Sequence, residues 1–182
     1  MGRPSLVVGG ALCLVCLAAC GDGEHDGKTP GEPIGRFAMT GTLERDECQA
    51  PVIGVVDPWE FELRLSRLAH DLYWLNGREA VSGELSSNKR SFQFDTQVDT
   101  VIERPRTGRP GCTLARRDIA SGSLRPDADN ATAIDGEISF VYDVRSGSDC
   151  SGIVGVSGGF ARLPCRVDFD LTGDRLAEDS GD

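Results

Sequence analysis

Histidine is nearly missing from this chain, with only His25 and His70 among 182 residues. That scarcity weighs against zinc centres and imidazole-based catalysis, which draw on His more than on any other side chain. His25 sits in a Gly- and Pro-rich stretch and reads as solvated, while His70 stands beside Asp71 in an expected turn. A hydrolytic triad can assemble from distant residues, yet no Gly-x-Ser-x-Gly elbow occurs, and neither Gly147-Ser148-Asp149 nor Gly152-Ile153 supplies one. Positive charge is also short: the formal net charge is -10. Such acidity speaks against nucleic acid, whose phosphates recruit Lys and Arg, and against a basic patch on anionic lipid. Carboxylates are so common that an Asp/Glu pair carries little information about glycoside hydrolysis. Asp127-Ala128-Asp129-Asn130 begins like a calcium loop, but Ala131, Thr132 and Ile138 stand where an EF-hand needs ligands and a glycine. Gly155-Val156-Ser157-Gly158-Gly159 lacks the spacing of a dinucleotide fingerprint. No cofactor or metal is expected.

No apolar run is long enough for a helical span. Leu6–Ala19 is uncharged but only fourteen residues long, against about 20 for a hydrocarbon core. With Arg3 before it and small residues behind, it reads as a signal peptide over residues 1–19. The sequence then gives Leu17-Ala18-Ala19-Cys20, which resembles the lipobox of bacterial lipoproteins. The resemblance implies cleavage before Cys20 and a diacylglycerol on its thiol. The following residue is Gly21 rather than Asp, which in that family leans toward the outer membrane. Gly21–Gly35 is rich in Gly, Pro and charge and reads as a flexible tether spanning about 20 Å. Residues 36–174 are the expected domain and residues 175–182 an acidic tail.

Seven cysteines are present. Cys13 and Cys16 leave with the signal and Cys20 takes the lipid, so Cys48, Cys112, Cys150 and Cys165 remain. None is spaced as a close zinc pair. An even number in an exported chain implies two disulfides. Cys150 follows the strand expected over 134–144, Cys165 begins the strand after it, and the Gly/Ser-rich stretch between can fold back. The expected pairs are therefore Cys150–Cys165 and, by elimination, Cys48–Cys112, the second joining the two edges of the sheet.

Between tether and tail the pattern has period two. Phe37, Met39, Gly41 and Leu43 share one face, as do Phe61, Leu63 and Leu65. Phe92, Phe94 and Val98 follow, then Ile138, Phe140, Tyr142 and Val144, then Val167, Phe169 and Leu171. Val81–Leu85, Ala120–Leu124 and Ile134–Ile138 share an apolar-x-Gly-x-apolar pattern, in which Gly suggests a bulge or bend. Residues 58–75 also fit a helix capped by Asp57, Pro58 and Glu60. That helix would expose Trp59, Leu63, Tyr73 and Trp74, so two strands turning near Ala69-His70-Asp71 are favoured.

The reading is an all-β, antiparallel domain of about eight strands with two disulfides, barrel-like (lipocalin-like) before sandwich-like. Residues 147–175, with Cys150, Cys165 and the Val167–Thr172 alternation, resemble uncharacterised small β-rich lipoproteins of myxobacteria-like organisms. That resemblance implies class and compartment but no activity. The expected function is a non-enzymatic binding or interaction module, held to the membrane by lipid, for an unknown protein or small-molecule ligand. The alternative is a lipid-anchored inhibitor of an enzyme such as lysozyme, and a secreted hydrolase comes last.

Overall fold

In the computed structural model, the described residues are 29–177 apart from 76, 78 and 158. The signal peptide, Cys20, His25 and most of the tether and tail expected from the sequence lie outside them.

Eight strands run antiparallel, each beside its neighbours in sequence: β1 Glu32–Asp46, β2 Trp59–Leu68, β3 Asp71–Leu75, β4 Val81–Leu85, β5 Ser91–Glu103, β6 Cys112–Arg125, β7 Ala133–Val144 and β8 Cys165–Arg175. β8 returns to β1, from Phe37 opposite Arg175 to Asp46 opposite Val167, and closes the sheet into a barrel. The barrel is realised rather than the sandwich. Residues 58–75 form two strands joined at Ala69 and His70, because alternation there buries Leu63, Leu65, Leu72 and Trp74 together. β1 starts at Glu32, inside the stretch expected to be tether, since Ile34 enters the core and Glu32 and Pro33 pair with β2.

The interior is filled by the alternating positions read from sequence. Phe37, Met39, Leu63, Leu72, Leu124, Ile134 and Val167 are almost wholly buried. The recurring glycines do not mark bulges. Gly122 stands opposite Gly136 in an uninterrupted ladder, and register shifts fall elsewhere, at Pro33/Gly35, Leu43/Arg45 and Val101/Glu103. These glycines make room for rings. A Cβ at Gly122 would lie 2.7 Å from the Phe92 ring and 2.4 Å from the Asp135 carbonyl oxygen, and one at Gly83 would lie 2.3 Å from the Phe94 ring. An eight-stranded barrel is just wide enough for its own side chains, so two inward phenylalanines need neighbours without side chains.

The two ends differ. Short turns after β2, β4 and β6 lie at one end, together with the entry of the chain, where the Ser66 hydroxyl donates to the Pro30 carbonyl at 2.7 Å. The longer connections 47–58, 104–111 and 145–164 lie at the other end, the mouth.

Both disulfides are at the mouth, and their pairing corrects the expectation. The bonds are Cys48–Cys165 and Cys112–Cys150, with Cα atoms 5.0 and 4.7 Å apart. Barrel closure makes β1 and β8 neighbours, so Cys48, just past β1, meets Cys165 at the start of β8. After β7 the chain does not fold straight back. It runs alongside the start of β6, where Arg145 N–H donates to the Thr113 carbonyl and Asp149 N–H to that of Gly111. Cys150 is thereby delivered to Cys112. The sheet edges that a Cys48–Cys112 bond was expected to join are already joined by the β1–β8 ladder.

In the chain-entropy treatment, loops of 117 and 38 residues correspond to about 5 and about 4 kcal/mol of stabilisation. Peptide mapping without reduction should return Cys48-linked and Cys165-linked fragments as one species and Cys112 with Cys150 as another. A fragment joining Cys150 to Cys165 would contradict this arrangement.

Candidate binding site at the barrel mouth

Inward positions on β6 run Cys112, Leu114, Arg116, Asp118, Ala120, Gly122 and Leu124. Alternation therefore carries two charged side chains into the barrel interior. Arg116 grips Asp118 through two parallel bonds, Nε to Oδ1 at 2.7 Å and Nη2 to Oδ2 at 2.8 Å. The pair satisfies itself while half-buried, with the Arg116 and Asp118 side chains 41% and 21% exposed. The guanidinium carbon lies 5.5 Å from the centre of the Phe140 ring, a cation–π contact.

Above the pair is a cavity of about 250 Å³, lined by Trp59, Arg116, Phe140, Tyr142, Val167 and Phe169 and roofed by the loop from Ile53 to Val56. The roof begins with a single 3-10 turn, Pro51–Ile53, which ends at Gly54 in the left-handed region with φ of 60°. Opposite, Gly41 leaves space for Trp59, whose ring would lie 3.2 Å from a Cβ there. Trp59 stacks on Phe61 at 4.2 Å between ring centres and meets Phe169 edge-on at 5.6 Å. Phe140 and Phe169 meet edge-on at 6.3 Å. The rings therefore frame one compartment in which Arg116 is paired with Asp118 and the Asp46 carboxylate acts on Tyr142.

Arg116 and Tyr142 shift in related ways. Burial works against the charged guanidinium, but the hydrogen bonds and charge of Asp118 outweigh it and hold the Arg116 pKa above its ordinary value. Burial pushes the Tyr142 phenol up, with Arg116 opposing only in part. Both partners thus present fixed donors: a permanent cation held by its carboxylate and a neutral hydroxyl.

The residues singled out from the sequence fall elsewhere. His70 is exposed on the β2–β3 turn at the opposite end of the barrel, where its carbonyl accepts from Leu85 N–H. The loop at 127–130 is a polar turn. Asp127 accepts from the N–H groups of Asp129 and Asn130, and Asp129 pairs with Arg67 at 2.6 Å and Lys89 at 2.7 Å. Among the described residues no three His, Cys, Asp or Glu side chains converge as a metal site would require. Sequence reasoning missed Arg116 and Asp118. The signal that finds them is parity: both share the alternation of Leu114, Ala120 and Leu124, so a strand there points them into the core.

The Tyr142 shift has a measurable consequence. Its folded pKa stands above the ordinary 10.0, so its contribution to stability is whole below pH 10 and is lost as pH rises through the folded value. The ultraviolet titration of tyrosinate should show a phase above pH 10 that disappears in Tyr142→Phe. Persistence of that phase in the variant would show that Tyr142 is not its source.

No known protein family, curated protein or solved structure matches this chain, so the chemistry of the site rests on these side chains.

Proposed function

We propose that this chain is a non-enzymatic binding module of the bacterial cell envelope, anchored through lipid on Cys20, whose barrel mouth takes one small, flat, largely apolar ligand. The observation that carries the ligand half is the compartment of Trp59, Phe140 and Phe169 around the self-neutralised Arg116–Asp118 pair. Rings supply flat apolar walls, and the few polar groups in such a site fix orientation. Because the charges cancel locally, the compartment suits a neutral body with a hydrogen-bond acceptor for Arg116 or Tyr142. A volume near 250 Å³ limits the ligand to roughly the size of two fused rings with a substituent. The anchor half rests on the signal-peptide pattern and on Leu17–Cys20, with the outer membrane favoured over the inner by Gly21. Chain entry at the closed end of the barrel agrees with it, because a tether there leaves the mouth facing away from the membrane.

A second reading, inhibition of an enzyme such as lysozyme, is favoured by one observation: the loop 104–111 stands at the mouth and is exposed from Arg104 to Pro110.

The neutral probe 6-propionyl-2-dimethylaminonaphthalene, whose ketone oxygen can accept from Arg116 or Tyr142, should brighten in the presence of the protein and quench Trp59 emission. Trp59→Ala and Arg116→Met should each weaken binding several-fold while leaving the disulfides intact. Equal affinity in both variants would remove the cavity from the function.

Labelled palmitate should enter the wild type during expression in a bacterial host and be absent from Cys20→Ser. Label retained in that variant would defeat the anchor reading.

A further inference from the structure

β3 and β4 are each five residues long, whereas their flanking strands have ten and thirteen. This mismatch leaves part of the wall without a partner. β4 meets β5 only at Glu84–Gln93 and Leu85–Phe92. Beyond Phe94, β5 is held by β6 alone, through a ladder that runs from Asp95 opposite Ile119 to Glu103 opposite Cys112. Every residue from Gln97 to Pro110 is exposed, including Val98, Val101 and Ile102 at 48, 58 and 48%. The direction of the backbone groups follows from the turn below. The Ser91 carbonyl accepts from Ser86 N–H, on the β4 side, and the Arg90 carbonyl accepts from Leu124 N–H, on the β6 side. By alternation Asp95, Gln97 and Asp99 turn their N–H and C=O groups to the open side. Among the described residues no strand pairs with them.

Three arginines without ion pairs among the described residues cluster at the end of this edge. Several arginines elsewhere face carboxylates: Arg67 with Asp129, Arg117 with Asp95, Arg145 with Asp99 and Arg162 with Glu47. At the tip of the β5–β6 hairpin, Arg104, Arg106 and Arg109 form no ion pair among the described residues, although Arg109 is near enough to contribute to lowering the Asp149 pKa. Two backbone bonds between Arg106 and Arg109 hold the tip as a tight turn. Glu103 at the end of β5 offsets one of these three charges, while Asp95 and Asp99 are already paired with arginines. A cationic tip thus stands beside a free strand edge in a chain of net charge -10.

We infer that the open edge of β5 takes an extended acidic segment of a partner protein, which adds as a strand antiparallel to β5 with its N-terminal carboxylates on Arg104, Arg106 and Arg109. Unpaired N–H and C=O groups are a template for another strand. They fit a peptide better than a lipid surface, where open edges are costly. Val98 and Ile102 offer aliphatic contact to alternate side chains of the incoming strand. The antiparallel direction matches that of β4, whose place the segment continues.

The test uses the folded chain from Gly21 onward and a synthetic peptide with carboxylates at its N-terminal end, followed by valine alternating with threonine. Binding should slow amide exchange at Asp95, Gln97 and Asp99 and leave the amides of Thr96, Val98 and Thr100, which alternation turns toward β6, unchanged. The triple variant R104E/R106E/R109E lies in an exposed loop and should lose on the order of tenfold or more in affinity. Gln97→Pro removes a donor only on the open side, a position where edge strands tolerate proline. It should abolish binding while the Cys112–Cys150 bond still forms. Binding without amide protection, binding unaffected by both variants, preference for anionic phosphatidylglycerol vesicles over the peptide, or protection of the same amides by self-association alone would each overturn the inference. The cavity probe should bind equally in all these variants, so the two sites are judged separately.

Discussion

Hydrogen bonding between β1 and β8 is the constraint on which the other features depend. The two strands are far apart in sequence, yet their pairing from Phe37–Arg175 to Asp46–Val167 converts an open meander into a barrel without an edge at that seam. Closure encloses Phe37, Met39 and Leu171 from all sides. It brings Cys48 to Cys165 and sets the inward face of every other strand. The covalent bond at the mouth follows this geometry: with Asp46 already opposite Val167, Cys48 needs only two further residues to reach Cys165.

Closure is complete at the floor of the barrel and incomplete near its mouth. Long strands β1, β8, β7, β6 and β5 build a continuous wall, while β3 and β4 stop short. Among the described residues, β2 above Arg64 and β5 above Phe94 therefore have no strand paired on the facing side. The lower half can be dry, with Leu72, Leu124, Ile134 and the rings of Phe92 and Phe94 packed onto glycine. The upper half is only partly enclosed, so Trp59, Phe61, Phe140 and Tyr142 remain part-exposed. In that half-open compartment an ion pair costs less desolvation than it would below, which explains why Arg116 and Asp118 lie above Ala120 and not beneath it.

Much of this was legible in the sequence because an antiparallel strand exposed to water on one face writes its orientation residue by residue. Phe37-Met39, Phe92-Phe94 and Val167-Phe169-Leu171 give both strand and inward face. The competing helix at 58–75 fails on the burial of Trp59, Leu63 and Trp74. Pairing between distant strands is not written in this way. β1 and β8 carry alternation that suits any neighbour, so nothing local announces their ladder, and the disulfide partners that depend on it do not follow from the strand pattern. The glycines suggest a bulge or bend, yet the bulge is absent: a missing side chain gives no sign of which ring fills the space. Arg116 and Asp118 were visible in principle, but fixing the phase of β6 across Arg116-Arg117-Asp118 requires connecting Leu114 to Ala120 through three consecutive charges.

The Arg116–Asp118 pair also bears on what the mouth is for. A half-buried ion pair is a weak source of stability, since its screened attraction has to offset the hydration that both ions partly lose, and well-packed apolar residues commonly do as well or better. The floor of the same barrel shows that this sequence can fill inward positions with apolar residues and glycine. At the mouth the rings around the pair do not close over it: Trp59, Phe140 and Tyr142 leave a cavity of about 250 Å³ where larger side chains would have completed the core. An unfilled apolar compartment and a fixed, self-satisfied donor group are each unhelpful to folding alone. Their occurrence together, on the side of the barrel away from the chain's entry, supports the proposed binding role of the mouth.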